Sequence, residues 1–273
     1  MIKAISLIVK RGAELPERMG ERLRISLEAR GVSVTVGEVD PGTSAVVVLG
    51  GDGTLLHVAG KAYIHNLPLL GINMGTLGFL TEVSIEEMDA AIDILLTGHF
   101  KLDRRIMLSV KAIENGNKSV FECYALNEAI ITRKNPGGII DIPTRVNEVF
   151  LTSYRGDGLI IATPTGSTAY NLSAGGPIIH PDMEAVILTP ICPFALNARP
   201  FIVSSDAEIS ILIREDQKGV RLVVDGHAGF DFEEGGRIEI RRAKGYLRLV
   251  RSPSRDYFTI LREKLGWSKG VGI

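Results

Sequence analysis

The stretch Ala45-Val46-Val47-Val48-Leu49-Gly50-Gly51-Asp52-Gly53-Thr54, followed by Leu55 to Ile64, decides the fold. Ala45 to Leu49 is a continuous apolar run, the pattern of a strand buried on both faces of a parallel sheet. Leu55 to Ile64 reads as a helix, with Thr54 expected as its cap. A glycine-rich turn therefore lies where a buried strand gives way to a helix, which in an open α/β sheet is the ligand-binding edge. Glycines let the backbone approach a ligand closely. The helix start behind them offers unpaired N–H groups to phosphate oxygens.

Asp52 is the odd member of this turn. An anion among phosphate-cradling glycines repels phosphate unless it has a role of its own. It could accept a proton from an attacking hydroxyl, hold a ribose hydroxyl, or bind a metal that bridges phosphates. A plain tight turn is the alternative, because Asp and Gly both form turns; the strand before and the helix after favour the functional reading. Two familiar loops are absent: no Gly-x-Gly-x-x-Gly opens a helix, and no Gly-x4-Gly-Lys-Ser/Thr occurs.

Working outward, the first hundred residues alternate strand and helix. Ala4 to Val9 and the alternating Val32, Val34 and Val36 read as strands, and Pro16 to Arg30 as a helix ending at Gly31. Leu67 to Ile72 reads as another buried strand. Ser84 with Glu87 three residues later forms a capping box for a helix to about Leu96. Residues 1–100 are thus expected to form a doubly wound α/β domain.

From about Arg104 the period changes. Met107–Ile113, Val120–Ile131, Val149–Tyr154, Leu159–Thr163, Glu208–Ile213, Val220–Val224 and Arg237–Ile240 read as short strands. The turns between them include Asn115-Gly116, Pro136-Gly137-Gly138, Gly156-Asp157-Gly158 and Gly235-Gly236. Residues 101–252 are expected to form a β-rich, sandwich-like domain. A closing helix within about 253–273, from Asp256 to Leu265, is expected to pack back on the first domain.

Composition narrows the function classes. The 273 residues are 45% hydrophobic and 23% charged, ordinary for a globular protein. Lys and Arg number 31 against 32 Asp and Glu, which argues against a dedicated nucleic-acid binder. The longest apolar stretch, Ala185 to Leu196, holds Pro190 and Pro193 and falls short of the about 20 residues a membrane helix needs. Met1 to Ser6 reads as a first strand and not as a signal peptide. Two cysteines, Cys123 and Cys192, make no disulfide scaffold, and a cytoplasmic protein is expected.

A second glycine-rich segment runs from Arg155 to Pro177. A strand, Leu159 to Ala162, leads into Thr163-Pro164-Thr165-Gly166-Ser167-Thr168-Ala169-Tyr170. Its hydroxyls and free N–H groups suit a ribose or a phosphate, and Tyr170 could stack on a flat ring.

With this segment the chain resembles NAD kinases. Gly50-Gly51-Asp52-Gly53-Thr54, then Asn127-Glu128 after a strand, then Gly156 through Thr165-Gly166-Ser167-Thr168-Ala169-Tyr170 to Gly175-Gly176-Pro177 are similar to that family's successive motifs in order and spacing. The likeness covers about residues 45 to 230. It implies an α/β domain, a β-rich dinucleotide-binding domain and a site between them. It also implies NAD as acceptor, ATP or another phosphoryl donor, and a divalent metal such as Mg2+. Asp52 would be the base for the acceptor ribose hydroxyl, with Gly53 beside it; Gly51 and Thr54 of the same loop are further nucleotide-binding candidates. Asn127 and Glu128 would hold the ribose and adenine end, and Thr165, Thr168, Ala169, Tyr170 and Ser173 would line that pocket. The family resemblance further implies a homo-oligomer, dimer or tetramer, in which the loop holding Asp157 reaches a neighbour's site. Asp225-Gly226-His227 departs from the pattern, where Gln more often follows Asp-Gly; His227 is kept as a candidate contact.

Three further candidates come from position. Asn73 and Phe79 lie in Gly71–Leu80, on the same sheet edge as Asp52, although a glycine-rich connection accounts for the glycines equally well. Arg155 could meet phosphate. No His/Cys cluster has zinc spacing, so no residue is assigned to a metal. Two rivals stand beside the kinase reading. A lipid kinase shares the first loop but usually carries Gly-Thr-Gly-Asn-Asp after the next strand, where this chain has Gly75-Thr76-Leu77-Gly78-Phe79. A non-catalytic dinucleotide sensor would not need Asp52.

Overall fold

The computed structural model describes residues 2–114, 118–134, 138–233 and 235–267. The chain divides into two compact units: residues up to Arg104 with the stretch from Leu247, and Arg105–Tyr246. The turns expected at Asn115-Gly116 and Pro136-Gly137, and residues 268–273 of the expected closing segment, lie outside the described residues.

The first unit contains β1 (Ala4–Val9), α1 (Glu14–Ala29), β2 (Ser33–Val36), β3 (Ala45–Gly50), α2 (Asp52–Ile64), β4 (Leu69–Asn73), α3 (Met88–Thr97), β5 (Leu102–Arg105), and, numbered in chain order, β18 (Leu247–Val250) and α5 (Tyr257–Leu265). One sheet runs β2-β1-β3-β4-β18-β5. Its neighbours from β2 through β18 pair in parallel. Every residue of β3 and β4 is buried, as a central parallel strand covered on both faces requires. Met19, Leu23 and Leu27 of α1 and Met88, Ile92 and Leu95 of α3 join Leu7, Val47, Leu49 and Ile72 in one cluster. α2 packs on β3 and β4 with its own apolar residues, Leu55, Val58, Ala59 and Ala62. Ser84 and Glu87 form the expected capping box, on a short 3-10 turn that leads into α3.

One detail differs from expectation. Thr54 is not the cap of α2: the helix begins two residues earlier, at Asp52, with Gly51 in an extended conformation as its first flanking residue. An acidic residue in the first turn complements the helix dipole, so starting at Asp52 is favoured.

The second unit contains β6 (Leu108–Glu114), β7 (Ser119–Ala125), β8 (Glu128–Arg133), β9 (Ile140–Val146), β10 (Val149–Gly156), β11 (Gly158–Ala162), α4 (Tyr170–Ser173), β12 (Ala185–Ile191), β13 (Phe201–Ser204), β14 (Ile209–Ile213), β15 (Val220–Val224), β16 (Ala228–Phe232) and β17 (Gly236–Arg242). Two antiparallel sheets, β10-β9-β14-β17-β6-β7 and β13-β12-β11-β8-β15-β16, share one hydrophobic cluster. Val110, Ile142, Ile211 and Ile238 enter it from the first sheet, and Ile131, Leu159, Leu188 and Leu222 from the second.

The single strand expected over Val120–Ile131 is two, β7 and β8, in different sheets. The break falls at Leu126-Asn127. There the amides of Leu126, Asn127 and Glu128 all donate to the Asp225 carboxylate, at 2.7, 2.9 and 3.0 Å. Backbone donors turned toward one side chain cannot continue the ladder of the sheet just left. The apolar run from Ala185 is β12, fully buried through Ile191. No described helix is long and apolar enough to cross a membrane.

Candidate active site

Three strands of the parallel sheet end side by side: β1 at Val9, β3 at Gly50 and β4 at Asn73. Their carboxyl ends release Lys10-Arg11, Gly51-Asp52-Gly53 and the loop from Met74 to Thr81. This edge is where an open α/β sheet binds ligands. It brings together Asp52, Gly51, Gly53, Thr54, Asn73 and Phe79.

The Asp52 carboxylate is held by the loop opposite. Oδ2 accepts the Phe79 N–H at 2.8 Å. Oδ1 accepts the N–H groups of Leu80 at 3.1 Å and Thr81 at 3.0 Å, and the Thr81 hydroxyl at 3.0 Å. A carboxylate offers about four lone-pair positions over its two oxygens. Oδ1 is therefore filled, and Oδ2 keeps one acceptor position. Gly78 is required for this approach, because a Cβ there would overlap Asp52 Oδ1. Asn73, buried, donates from Nδ2 to the Thr81 hydroxyl at 2.8 Å and accepts the Gly75 N–H at 2.7 Å. Both ends of its amide are thus engaged within the loop. The ring of Phe79 lies 6.0 Å from Lys264 Nζ of α5.

Two cavities flank Gly51. One, of about 610 Å³, is lined by Lys10, Arg11, Gly51, Gly53, Thr54 and His57; the other, of about 420 Å³, by Lys10, Glu14, Gly50, Gly51, Asn73 and Thr76. Lys10 and Arg11 are exposed here, two cations beside the start of α2. Sequence reading passed over them; their place directly after the first strand of a parallel sheet was the available signal. Thr81 was also passed over, because its partner Asp52 lies 29 residues away.

In the second unit, Asn127 and Glu128 are buried at the start of β8. No described residue bonds to the Asn127 side-chain amide, while its backbone N–H is fixed by Asp225. Glu128 Oε2 is buried without a partner among the described residues. Burial, and then the neighbouring Asp225 carboxylate, push the Glu128 carboxyl up to about 8. Burial also raises Asp225, against the three backbone N–H groups that lower it.

The segment from Thr163 to Ser173 is not an open loop of free hydroxyls. It forms a 3-10 turn over Thr165–Thr168 and then α4. The Thr163 hydroxyl donates to the Leu126 carbonyl at 2.5 Å, and the Ser167 hydroxyl to the Pro164 carbonyl at 2.6 Å. Gly166 lies against the backbone of Asn127, where a Cβ would overlap the carbonyl. The structure thus brings Gly166 to Asn127. Thr165, buried, accepts from Arg105 Nη1 at 3.3 Å. Thr168 and Ala169 are half-buried, and Tyr170 and Ser173 exposed. Arg155 and Asp157 are exposed at the β10–β11 connection, the Arg155 guanidinium 5.7 Å from the Phe194 ring centre. His227 is exposed in the β15–β16 turn, Nδ1 3.0 Å from the Asp225 carbonyl.

Among the described residues, no three His, Cys, Asp or Glu side chains stand together as a metal-holding group. A magnesium ion needs only one or two carboxylates when substrate phosphates and water complete its octahedron. That limited demand can be met by the donor's own phosphates and water, which leaves the free position on Asp52 Oδ2 to another group.

Residues 7–100 match the ATP-NAD kinase N-terminal domain and residues 126–252 the ATP-NAD kinase C-terminal domain. The NAD kinase of Geotalea daltonii is 46% identical over 224 residues, spanning 82% of this chain and 78% of the relative. That of Citrifermentans bemidjiense is 40% identical over 258 residues, spanning 94% and 88%. Among solved structures, yeast NADH kinase complexed with NADH superposes with a TM-score of 0.90 at 25% identity, over 100% of this chain and 89% of that one. An NAD kinase from Archaeoglobus fulgidus in complex with ATP gives 0.77 at 27% identity, over 98% and 99%. Matched in both halves and across most of its length, the chain belongs to the NAD kinase family.

Proposed function

We propose that this protein transfers the terminal phosphoryl group of ATP to the 2′-hydroxyl of the adenosine ribose of NAD, giving NADP and ADP. The observation that carries the reading is the state of Asp52: anchored by four donors, yet with one acceptor position left on Oδ2. In the transfer, the ribose hydroxyl passes its proton to Asp52 Oδ2. Its oxygen bonds to the γ-phosphorus, and the bond from that phosphorus to the bridging oxygen of ADP breaks. No covalent enzyme intermediate forms. Chemistry of this kind depends on positioning and charge stabilisation. Backbone N–H groups at the start of α2, with Lys10 and Arg11, hold the donor phosphates. Magnesium carried in with the triphosphate would neutralise part of its charge.

In this reading Asn127 presents its unpaired amide to the ribose and adenine end of NAD, with Glu128, Thr165, Thr168, Ala169, Tyr170 and Ser173 completing that subsite. Glu128 enters it carrying its proton, and so donates as well as accepts. The enzyme works in the cytoplasm, a reading supported by two free cysteines. It works as a homo-oligomer, supported by the exposed Phe194, Leu196, Phe201 and Ile202 around edge strand β13. Incubation with NAD, ATP and magnesium, read by an NADP-specific dehydrogenase, tests the function. NADP is expected from the native chain and not from Asp52→Asn. Absence of NADP while NAD still binds would leave the non-catalytic sensor.

A further inference from the structure

Thr81 differs from the other donors to Asp52 in being a side chain, and a buried one, with none of its surface exposed. A fold needing only a β-branched residue there would be served by valine, without the cost of burying a hydroxyl. The hydroxyl has one proton and two lone pairs. Asn73 Nδ2 donates into it at 2.8 Å, and Asn73 is itself oriented by the Gly75 N–H on its Oδ1. The direction of the chain is therefore set: Asn73 gives to Thr81, and Thr81 gives to Asp52 Oδ1 at 3.0 Å. The Thr81 N–H reaches the same oxygen. One residue thus supplies two of the three donors that fill Oδ1, while among the described residues Oδ2 receives only the Phe79 N–H.

We propose that Thr81 is a positioning residue for phosphoryl transfer, its Asn73-oriented hydroxyl turning the Asp52 carboxylate so that Oδ2 is the oxygen left for the acceptor hydroxyl. The proposal rests on Asp52 as the base. Without the hydroxyl, the carboxylate keeps its three backbone donors but loses the one side-chain donor that Asn73 orients, so its plane is held less tightly and the acceptor position on Oδ2 is less closely fixed. Misplacement of a reacting group by a fraction of an ångström to an ångström costs up to about 100-fold in rate.

The test compares Thr81→Val, Thr81→Ser and Asp52→Asn by steady-state kinetics in both substrates, with thermal melts and NAD binding as checks on folding. Thr81→Val is expected to lower kcat by about 10- to 100-fold, with both KM values within about threefold. Thr81→Ser is expected to recover most of the loss. A valine variant with wild-type kcat, a serine variant as slow as the valine one, or a rise in KM alone would overturn the proposal. If Thr81→Val does not fold, Thr81→Cys replaces it: the thiol is a weak donor, so a kcat below that of the serine variant supports the proposal and a wild-type kcat overturns it. Asp52→Asn separates the two readings. If it retains wild-type turnover, the base assignment falls and the positioning role with it. If it is inactive while Thr81→Val is normal, the positioning role alone falls.

Discussion

Two aspartates, one in each unit, grip the backbone in the same way. Asp52 accepts the consecutive N–H groups of residues 79–81, and Asp225 those of 126–128. Each bends a chain segment around a carboxylate, and each carboxylate replaces ladder or helix partners that those amides would otherwise need. Their surroundings differ. Asp52 is half-buried at the open edge of a parallel sheet, between residues that line a cavity holding Lys10 and Arg11. Asp225 is 8% exposed, beside a second carboxyl, Glu128, that has an unpartnered oxygen. On the proposed function, the same hydrogen-bond device serves chemistry at the half-buried aspartate and chain path at the buried one.

The largest expected effect separates the two at once. Asp52→Asn should cut turnover about 1000-fold, within the range for a lost general base, with a smaller loss of stability than Asp225→Asn, because Asp52 is half-buried and water can satisfy part of what the amide cannot accept. Asp225→Asn should do the reverse in emphasis. Its amide cannot accept three N–H groups as a carboxylate does, so stability should fall by roughly 2–4 kcal/mol in denaturant titration. An Asp225→Asn protein as stable as the native one would break the comparison, since that carboxylate would then not hold the β7–β8 break.

Next in size is a pH effect. Burial, and then Asp225, raise the Glu128 carboxyl to about 8, whereas in the unfolded chain it returns to the ordinary range near 4.5. Between those values the folded protein holds more protons than the unfolded one. Stability associated with Glu128 is therefore complete below pH 4.5 and declines as pH rises to about 8. Glu128→Gln, always neutral, should lack this decline. The native protein should lose stability relative to the variant by a few kcal/mol from about pH 5 to pH 8.5. Thermal melts of both at half-unit steps would show it; parallel curves would mean that Glu128 titrates normally.

How much of this was legible in the sequence follows from the range of the interactions. Ala45 to Leu49 before Gly-Gly-Asp-Gly announced the buried strand, the turn and the helix, because that signal is local and continuous. Ser84 and Glu87 announced their box for the same reason. The split of Val120–Ile131 was invisible, because its cause, Asp225, lies 97 to 99 residues away. Thr163 and Ser167 looked available for a ligand as letters, but their hydroxyls are taken by carbonyls that only the folded chain brings near. Strands β12, β13 and β16 escaped because proline-broken or short runs carry little period. The candidate site was thus readable where one loop holds its chemistry and unreadable where a distant residue shapes it.

The smallest effect tests how far the Asp225 turn depends on its neighbour. His227 is exposed, and its Nδ1 lies 3.0 Å from the Asp225 carbonyl. Its charge is the weakest of the influences that lower the Asp225 carboxyl, behind three backbone N–H groups. His227→Gln keeps a donor of similar reach and removes only that weak charge. It should change stability by no more than about 0.5 kcal/mol, and leave the decline between pH 5 and pH 8.5 in place. Denaturant titrations at pH 6 and pH 8 would check both statements. A loss comparable to that of Asp225→Asn would mean that the imidazole, and not the three amides, holds the turn, and the likeness between the two aspartates would then stop at their shared geometry.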